Sequence, residues 1–335
     1  GSSRLAHASF DRGRWDEAMH YADQALAELA VTDSPTDLDR IRTTTEIAEM
    51  RILLALAAGR IDDAGRAMPL LRQVCEDSLL DATAFEGDQV RVSLAVSSLQ
   101  TGDYSVLPAV LDQLGQAPDP SRRAFALRAR SMVTWRTTGD LAAASQLLEQ
   151  SVLADPPDES GVWWHDAFYR AEFLAEAGRY DEAFKLAAPA IEQQARLADP
   201  GNEGEMADLG VTCGAYARIL ARVGDLESAR EHLERGSMLL SPNHRYAWVY
   251  SYLATAVLSL CAGDEETGIE AFDTGTSLAV ELGITPTVIE LLTVRMELAL
   301  LAGDHRGFDR YRRQALDLAR MLGHVADQRR IESLS

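Results

Sequence analysis

A turn glycine recurs along this chain with a period near 40 residues, and this repeat constrains the fold more than any other feature. Six copies have an apolar residue two positions after the glycine, and most copies have a small residue five positions after it. The turn glycines are Gly13, Gly59, Gly102, Gly139, Gly178 and Gly224, with weaker copies at Gly263 and Gly303. Spacings of 37 to 46 residues between them indicate stacked structural units, with the variation in length placed in the loops between units.

Each unit is predicted to be a helical hairpin. Residues 286–303 carry apolar side chains at three- and four-residue steps, and residues 304–322 are again helical in pattern after the turn at Gly303. Glycine suits such a turn because it adopts backbone angles that a side chain resists. In five copies the next residue is aspartate, whose carboxylate can accept hydrogen bonds from the free N–H groups at the start of the second helix. These aspartates are Asp103, Asp140, Asp225, Asp264 and Asp304.

Two further positions of each unit predict how the hairpin packs. The residue two after the glycine is aromatic or aliphatic in six copies, and it is predicted to fill the wedge between the two helices. Alanine stands five after the glycine in five copies, where the second helix would cross the first closely. The wedge residues are Trp15, Ile61, Tyr104, Leu141, Tyr180 and Leu226, and the crossing residues are Ala18, Ala64, Ala144, Ala183 and Ala229.

This pattern resembles the tetratricopeptide repeat (TPR), whose signature has a turn glycine, an aromatic residue two later and an alanine five later. The signature also has a small residue seven before the glycine. That place is matched by Ala6, Ala95, Ala171, Ala217 and Ala256, whereas Ile52, Met132 and Met296 depart from it. The units here also exceed the TPR norm of roughly 34 residues.

The TPR resemblance implies an all-α fold, a right-handed superhelix (α-solenoid) of about eight TPR-like hairpins. A single array is expected over residues 4–323. Residues 1–3, which do not begin with methionine, are interpreted as a cloning remnant. Residues 324–335 become polar after Gly323 and are expected to form a C-terminal cap or a linker.

The longer period is similar to the helical-repeat region of large bacterial regulators of the MalT and LuxR-like type. In those regulators such a region lies between a nucleotide-binding module and a DNA-binding helix-turn-helix, so this resemblance implies the sensor region of a bacterial transcriptional regulator. Lys185 is the only lysine, and arginine with abundant alanine favours a GC-rich bacterial source. No GxxxxGK[ST] loop is present, so no ATP site or other cofactor is expected.

Composition excludes several partners and sites. A formal net charge of −20 repels phosphate backbones, so no direct nucleic-acid contact by this segment is expected. No apolar run approaches the roughly 18 residues of a membrane span, so no membrane contact is expected.

Cys75, Cys213 and Cys261 are far apart, which predicts buried thiols in a reducing cytoplasm. The histidines lack the spacing of metal ligands, so no metal site is expected.

Candidate binding residues follow from the family's groove-lining positions on the first helix of each hairpin. Counting back from the turn glycine, the resemblance places His165, Phe168 and Glu172 on the concave face of the fifth repeat. The sixth and seventh repeats contribute Val211, Gly214, Arg218 and Arg222, and then Tyr246, Tyr250, Leu253 and Val257. Trp164 joins this set because residues 162–169 and 246–252 are rich in aromatic side chains.

The aromatic residues of these helices support two interpretations. In one, they pack hairpin against hairpin in the core. In the other, they line a pocket in which Arg218 and Arg222 clamp a ligand carboxylate. Gly214 would either leave room for a ligand or allow close helix packing. The candidate binding residues are Trp164, His165, Phe168, Glu172, Arg218, Arg222, Tyr246 and Tyr250.

Function is predicted to be binding and regulation without catalysis. The first hypothesis is a regulator's sensor region, with a small-molecule effector or a protein or peptide in the concave groove. The second is an interaction scaffold that grips a peptide or a partner helix in the groove. An enzyme is the third hypothesis, but His165 and Asp166 are adjacent and point apart on a helix, so no catalytic residues are assigned.

Overall fold

The computed structural model of this chain describes residues 5–6, 15–31, 84–155, 163–242 and 244–334. Within these ranges the chain forms fourteen α-helices and no β-strand. The predicted turns at Gly13 and Gly59, and residues 1–3, lie outside the described residues.

The helices succeed one another with short connections over most of the described chain. They are α1 (Trp15–Val31), α2 (Ala84–Thr101), α3 (Leu107–Leu114), α4 (Pro120–Thr138), α5 (Leu141–Ala154), α6 (Trp163–Glu176), α7 (Tyr180–Leu197), α8 (Glu203–Val223), α9 (Leu226–Met238), α10 (Arg245–Ala262), α11 (Glu265–Glu281), α12 (Thr285–Leu301), α13 (His305–Leu322) and α14 (Val325–Ser333). From α2 to α13 they pack as six successive hairpins, α2 with α3 through α12 with α13. This is the all-α solenoid of helical hairpins that the glycine repeat predicts.

Local chemistry sets the turn of each hairpin. The glycine between the two helices has a positive φ, for example +91° at Gly224 and +69° at Gly303. The aspartate that follows then caps the second helix: the carboxylate of Asp225 accepts from the Ser228 N–H at 3.1 Å. The same bond, from the N–H three residues on, is made at Asp140, Asp264 and Asp304. The predicted capping role is confirmed at these four positions.

The first described hairpin departs from this arrangement. Its second helix, α3, begins at Leu107, four residues after the predicted cap Asp103. Asp103 instead accepts from the Ser105 N–H at 3.1 Å, which shapes the turn before the helix. Pro108 in the first turn of α3 is compatible with this later start, because the first helical N–H groups have no partner within a helix.

Small residues allow the helices to approach closely, as the repeat pattern predicts. Every described alanine at the two small positions of the pattern is fully buried: Ala6, Ala18, Ala95, Ala144, Ala171, Ala183, Ala217, Ala229 and Ala256. Between α8 and α9 the contact is tighter still. A Cβ placed on Gly236 would lie 2.8 Å from the carbonyl oxygen of Gly210 and 2.9 Å from the Cβ of Cys213. The crossing of these two helices therefore depends on glycine.

The C-terminal end of the array returns to its first described hairpins. Helix α14 packs against α13 and also against α4, and α12 packs against α2. Arg136 of α4 pairs with Asp327 of α14 at 3.1 Å, and the rings of Tyr104 and His324 stack with centroids 5.3 Å apart. Arg329 donates to the carbonyl oxygen of Thr138 at 3.0 Å. We refer to this meeting of α14 and its preceding turn with α4 and the 102–104 turn as the closure contact.

Among the described helices, none combines the length and the apolarity that crossing a bilayer requires.

Candidate functional site

The concave face encloses a cavity of about 400 Å³, which we call the inner cavity. Its wall comes from the first helix of each described hairpin, namely α2, α4, α6, α8, α10 and α12, with Tyr104 and Ile284 added from the connections. The closure contact makes this arrangement possible, because it brings α2 and α4 round to face α12. The sequence predicts that first helices line the groove, and the structure places them there.

Helix α8 shows how a helical register supplies the wall. Asp208, Val211, Thr212, Ala215 and Arg218 all line the inner cavity, and their steps of one, three and four residues place them on one helical face. Ten residues separate Asp208 from Arg218, which is about 15 Å along the helix axis. One face of α8 therefore presents a carboxylate near one end and a guanidinium near the other.

Five of the eight candidate binding residues meet in the inner cavity. Phe168, Glu172, Arg218, Tyr246 and Tyr250 all belong to its wall. Arg222 lies instead in an adjoining cavity of about 100 Å³ that shares part of the same wall. The side chains of the remaining two candidates, Trp164 and His165, lie outside the described residues, although α6 includes their backbone.

The aromatic residues of the wall fit both interpretations that the sequence leaves open. Phe168 is only 6% exposed and belongs to the main hydrophobic core, against which Tyr246 also packs. Tyr246 and Tyr250 meet edge to face with ring centroids 5.6 Å apart. These rings therefore join one hairpin to the next and also form part of the cavity surface.

Gly214 faces helix α10 and is not part of the inner cavity wall. A Cβ at this position would lie 3.6 Å from the Cβ of Ala254, which is an ordinary van der Waals contact. Neither of the two roles that the sequence leaves open for this glycine, room for a ligand or close helix packing, therefore requires glycine here.

The predicted arginine clamp is already occupied by carboxylates of the chain itself. Arg222 makes a two-bond contact with Glu297 at 2.6 and 3.0 Å. Arg218 donates to Glu290 at 2.7 Å and to Glu172 at 3.2 Å. These pairs join α8 to α12 and α6, so both arginines brace helices of different hairpins. A ligand carboxylate would have to displace one of these glutamates.

Arg136 is the main site residue that the sequence analysis missed. Its guanidinium lies 2.8 Å from Glu176, 3.3 Å from Glu290 and 3.1 Å from Asp327. Trp135 Nε1 also donates to Glu176. The partners of Arg136 are 40, 154 and 191 residues away in the chain, so no local sequence pattern indicates the cluster.

The charges beside Arg136 do not balance. Glu172, Glu176, Glu290 and Asp327 share the three guanidinium groups of Arg136, Arg218 and Arg330, which leaves one negative charge in excess. Burial raises the pKa of Glu172 to about 7, Arg218 opposes this rise, and the neighbouring glutamates add to it. Burial also acts to raise the pKa of Glu290, but Arg218, Arg136 and Arg330 together outweigh it and the pKa falls. Burial raises the pKa of Glu176 as well, against the opposing charge of Arg136. Glu172 is therefore one carboxyl of this cluster that takes up a proton near neutral pH.

Substituting Glu172 with glutamine should flatten the pH dependence of stability. The folded protein holds the Glu172 proton more tightly than the unfolded chain does, so its free energy of unfolding falls as pH rises from about 4.5 to about 7. We expect E172Q to remove on the order of 1 to 2 kcal/mol of that fall. Urea unfolding at pH 4.5, 6 and 8 measures the difference.

Glu182 provides the control for this measurement. It is exposed, and its hydrogen bond from Arg179 lowers its pKa, so the folded protein holds this proton less tightly than the unfolded chain does, which is opposite in sign to Glu172. The E182Q protein should therefore keep the fall in stability between pH 4.5 and pH 7. Equal slopes in wild type and E172Q would show that Glu172 ionises normally.

The other side chains that could support chemistry are held by contacts within the protein or by burial. Asp166, the neighbour of His165, accepts from Arg128 at 3.3 Å, and this pair joins α6 to α4. Burial raises the pKa of the Cys213 thiol to about 11, which keeps it protonated. Within the described residues, no group of histidine, cysteine, aspartate and glutamate side chains is arranged to hold a metal ion.

Comparison with solved structures finds helical-repeat proteins. A Rap protein complexed with competence and sporulation factor superposes with a TM-score of 0.60 at 14% identity, covering 99% of this chain and 91% of that one. The human IFIT1 dimer with PPP-AAAA scores 0.47 at 13% identity and covers 94% and 82%. TPR-like repeats of a Podospora anserina protein described as a kinesin light chain score 0.39 at 17% identity and cover 61% and 96%.

The superposition on the Rap protein supports the fold of this chain as a TPR-like all-α array. No protein-family model matches the chain, and no curated protein matches it in sequence. The similarity to MalT and LuxR-like regulators stays a prediction.

Proposed function

We propose that this chain is a non-catalytic binding module that holds an extended peptide segment in its inner cavity. The observation that carries this proposal is the cavity itself, whose wall takes side chains from six successive first helices, five of which contribute aromatic or charged groups. Its volume of about 400 Å³ falls within the range of ligand-binding pockets, which is about 300 to 1,000 Å³. The Rap protein of similar fold, complexed with competence and sporulation factor, supports a role in binding such a factor.

The size of the cavity favours an extended segment over a partner helix. A whole helix is about 10 to 12 Å across with its side chains, which is bulky for a cavity of about 400 Å³, near the lower end of the range of ligand-binding pockets. A few extended residues, or a small-molecule effector, match the volume better. Among the scaffold alternatives, a peptide is therefore preferred to a helix.

The closure contact supports a regulatory role. A ligand in the inner cavity touches α2 and α4 on one side and α12 on the other, so its binding favours the arrangement in which these helices meet. Loss of the ligand would favour a more open curve. This coupling between occupancy and shape fits the sensor region of a larger bacterial transcriptional regulator, which is the finer form of our proposal.

Selection from a random hexapeptide library tests the proposal. Peptides retained by the immobilised wild-type chain are synthesised and their affinities measured by isothermal titration calorimetry. Tyr250 lines the cavity, so Y250A should weaken binding at least tenfold, as truncation of a buried interface tyrosine commonly does.

Tyr252 supplies a matched control on the same helix. It packs towards Gly275 of α11 and is not part of the cavity wall. Peptides should therefore bind Y252A as tightly as wild type, with far-UV circular dichroism showing that both variants keep their helices. If wild type retains no peptide, or if Y250A binds as well as wild type, peptide binding in this cavity is refuted. Native mass spectrometry with host metabolites would then test a small-molecule effector.

A further inference from the structure

Six of the seven charged side chains that line the inner cavity are paired with the protein's own groups. Arg128 pairs with Asp166, while Arg136 and Arg218 are shared among three glutamates of the wall. The seventh is Asp208. No side chain in the described part of the protein donates a hydrogen bond to its carboxylate or forms an ion pair with it.

Asp208 is exposed to the inner cavity, and the described residues of the surrounding wall supply no partner for its carboxylate. Its side chain remains open to the cavity, yet desolvation by the wall raises its pKa to about 6, and Glu205 adds to the rise. Burial raises the pKa of both Tyr169 and Tyr246, and the charge of Asp208 adds to the rise because all three groups are close in the same wall. Asp208 is therefore a carboxylate beside aromatic rings that lacks a compensating cation.

A second acceptor in the wall also lacks a donor. Gln100 of α2 lines the inner cavity, and its Oε1 atom is buried with no hydrogen-bond partner in the described structure. Both unsatisfied groups, Asp208 and Gln100, thus present acceptor oxygens. A ligand that completes them must bring hydrogen-bond donors, and a donor with a positive charge would also offset the excess negative charge of the wall.

We propose that Asp208, with Tyr169 and Tyr246, binds a guanidinium or alkylammonium group of the cavity's ligand. A cation there gains an ion pair with the carboxylate and attraction to the negative faces of the tyrosine rings. A ligand carboxylate is excluded from this place by the same charge. This inference deepens the proposed function and rests on it, since it names the chemistry that the peptide must carry.

Equilibrium dialysis against two defined peptide pools tests the inference. Both pools are random hexapeptides with one fixed position, which holds arginine in the first pool and citrulline, its neutral isostere, in the second. We expect wild type to retain the arginine pool about tenfold better, as mass spectrometry of the retained peptides would show. D208N should reduce that preference to less than twofold while keeping its helices by circular dichroism.

Asp273 gives the matched control, because it is exposed on α11 and D273N changes the net charge by the same amount. D273N should keep the full preference for arginine. Agmatine, which carries a guanidinium without a peptide, is dialysed in parallel. Its retention by wild type but not by D208N would support the same subsite with a small molecule as the source.

The remaining outcomes separate this inference from the proposed function. Equal retention of both pools would overturn the Asp208 subsite and leave peptide binding intact. An arginine preference that survives in D208N would also overturn it. If wild type retains neither pool nor agmatine, both proposals fail together.

Discussion

Replacing Arg136 with methionine is expected to lower the free energy of unfolding by about 4 kcal/mol. The substitution leaves Glu176, Glu290 and Asp327 in a largely buried position without their shared cation, and removing one partner of a buried ion pair costs about 3 to 5 kcal/mol. Urea unfolding followed by circular dichroism measures the loss. Hydrogen exchange should rise most in residues 325–333, because Arg136 holds α14 against α4.

Arg179 is the control for this prediction. Its ion pair with Glu182 joins residues three apart on the surface, and both side chains are about half exposed. Such pairs contribute about 0 to 1 kcal/mol, so R179M should remain close to wild type. If R136M leaves the exchange of residues 325–333 unchanged, Arg136 does not hold the closure contact together.

Replacing Gly236 with alanine is expected to cost about 3 kcal/mol, although alanine is the better helix former. The added methyl group would overlap the backbone oxygen of Gly210 and the Cβ of Cys213, and neither atom can move without shifting a helix. Overpacking of this kind commonly costs about 1 to 3 kcal/mol. The free energy of unfolding in urea gives the size of the effect.

Gly214 offers the same substitution in a roomier place. A Cβ there meets its nearest neighbour, the Cβ of Ala254, at 3.6 Å, which is an ordinary van der Waals contact. G214A should therefore be neutral or stabilise the protein by up to about 1 kcal/mol, since alanine is preferred to glycine within a helix. Equal losses in G236A and G214A would mean that the α8–α9 crossing is not uniquely tight.

The hairpin itself was predictable because its determinants are local. Glycine at the turn, aspartate as the cap and alanine at the crossing lie within a few residues of one another, and each acts through its immediate neighbours. The departure at Asp103 came from a longer turn before α3, a variation that no fixed spacing anticipates.

The curve of the array was not predictable from the repeat. It results from small rotations between successive hairpins that accumulate along the chain. Whether Arg136 meets Asp327, 191 residues later, depends on the sum of these rotations. For the same reason the sequence identified Arg218 and Arg222 as cations of the concave face but not Glu290 and Glu297 as their partners.

The sequence predicted where the candidate site lies but not all of the residues that form it. Counting back from Gly224 places Val211 and Arg218 on the inner face, and the structure has both in the cavity wall. The groove-lining positions counted from Gly224 end at Val211. One further step of three residues towards the N-terminus reaches Asp208, so the sequence pattern extends to the unpaired carboxylate of the cavity wall.

The return of α14 to α4 also changes how the array comes apart. In an open solenoid the terminal repeat has a neighbour on one side only, so it frays first and unfolding spreads inward from it. Here the last helix is held by the preceding hairpin and by one that begins far earlier in the chain. The described part of the array is therefore closed by the closure contact. Breaking this contact should allow several hairpins to unfold together. Forming it requires closure of a loop of about 190 residues, which places it late in folding.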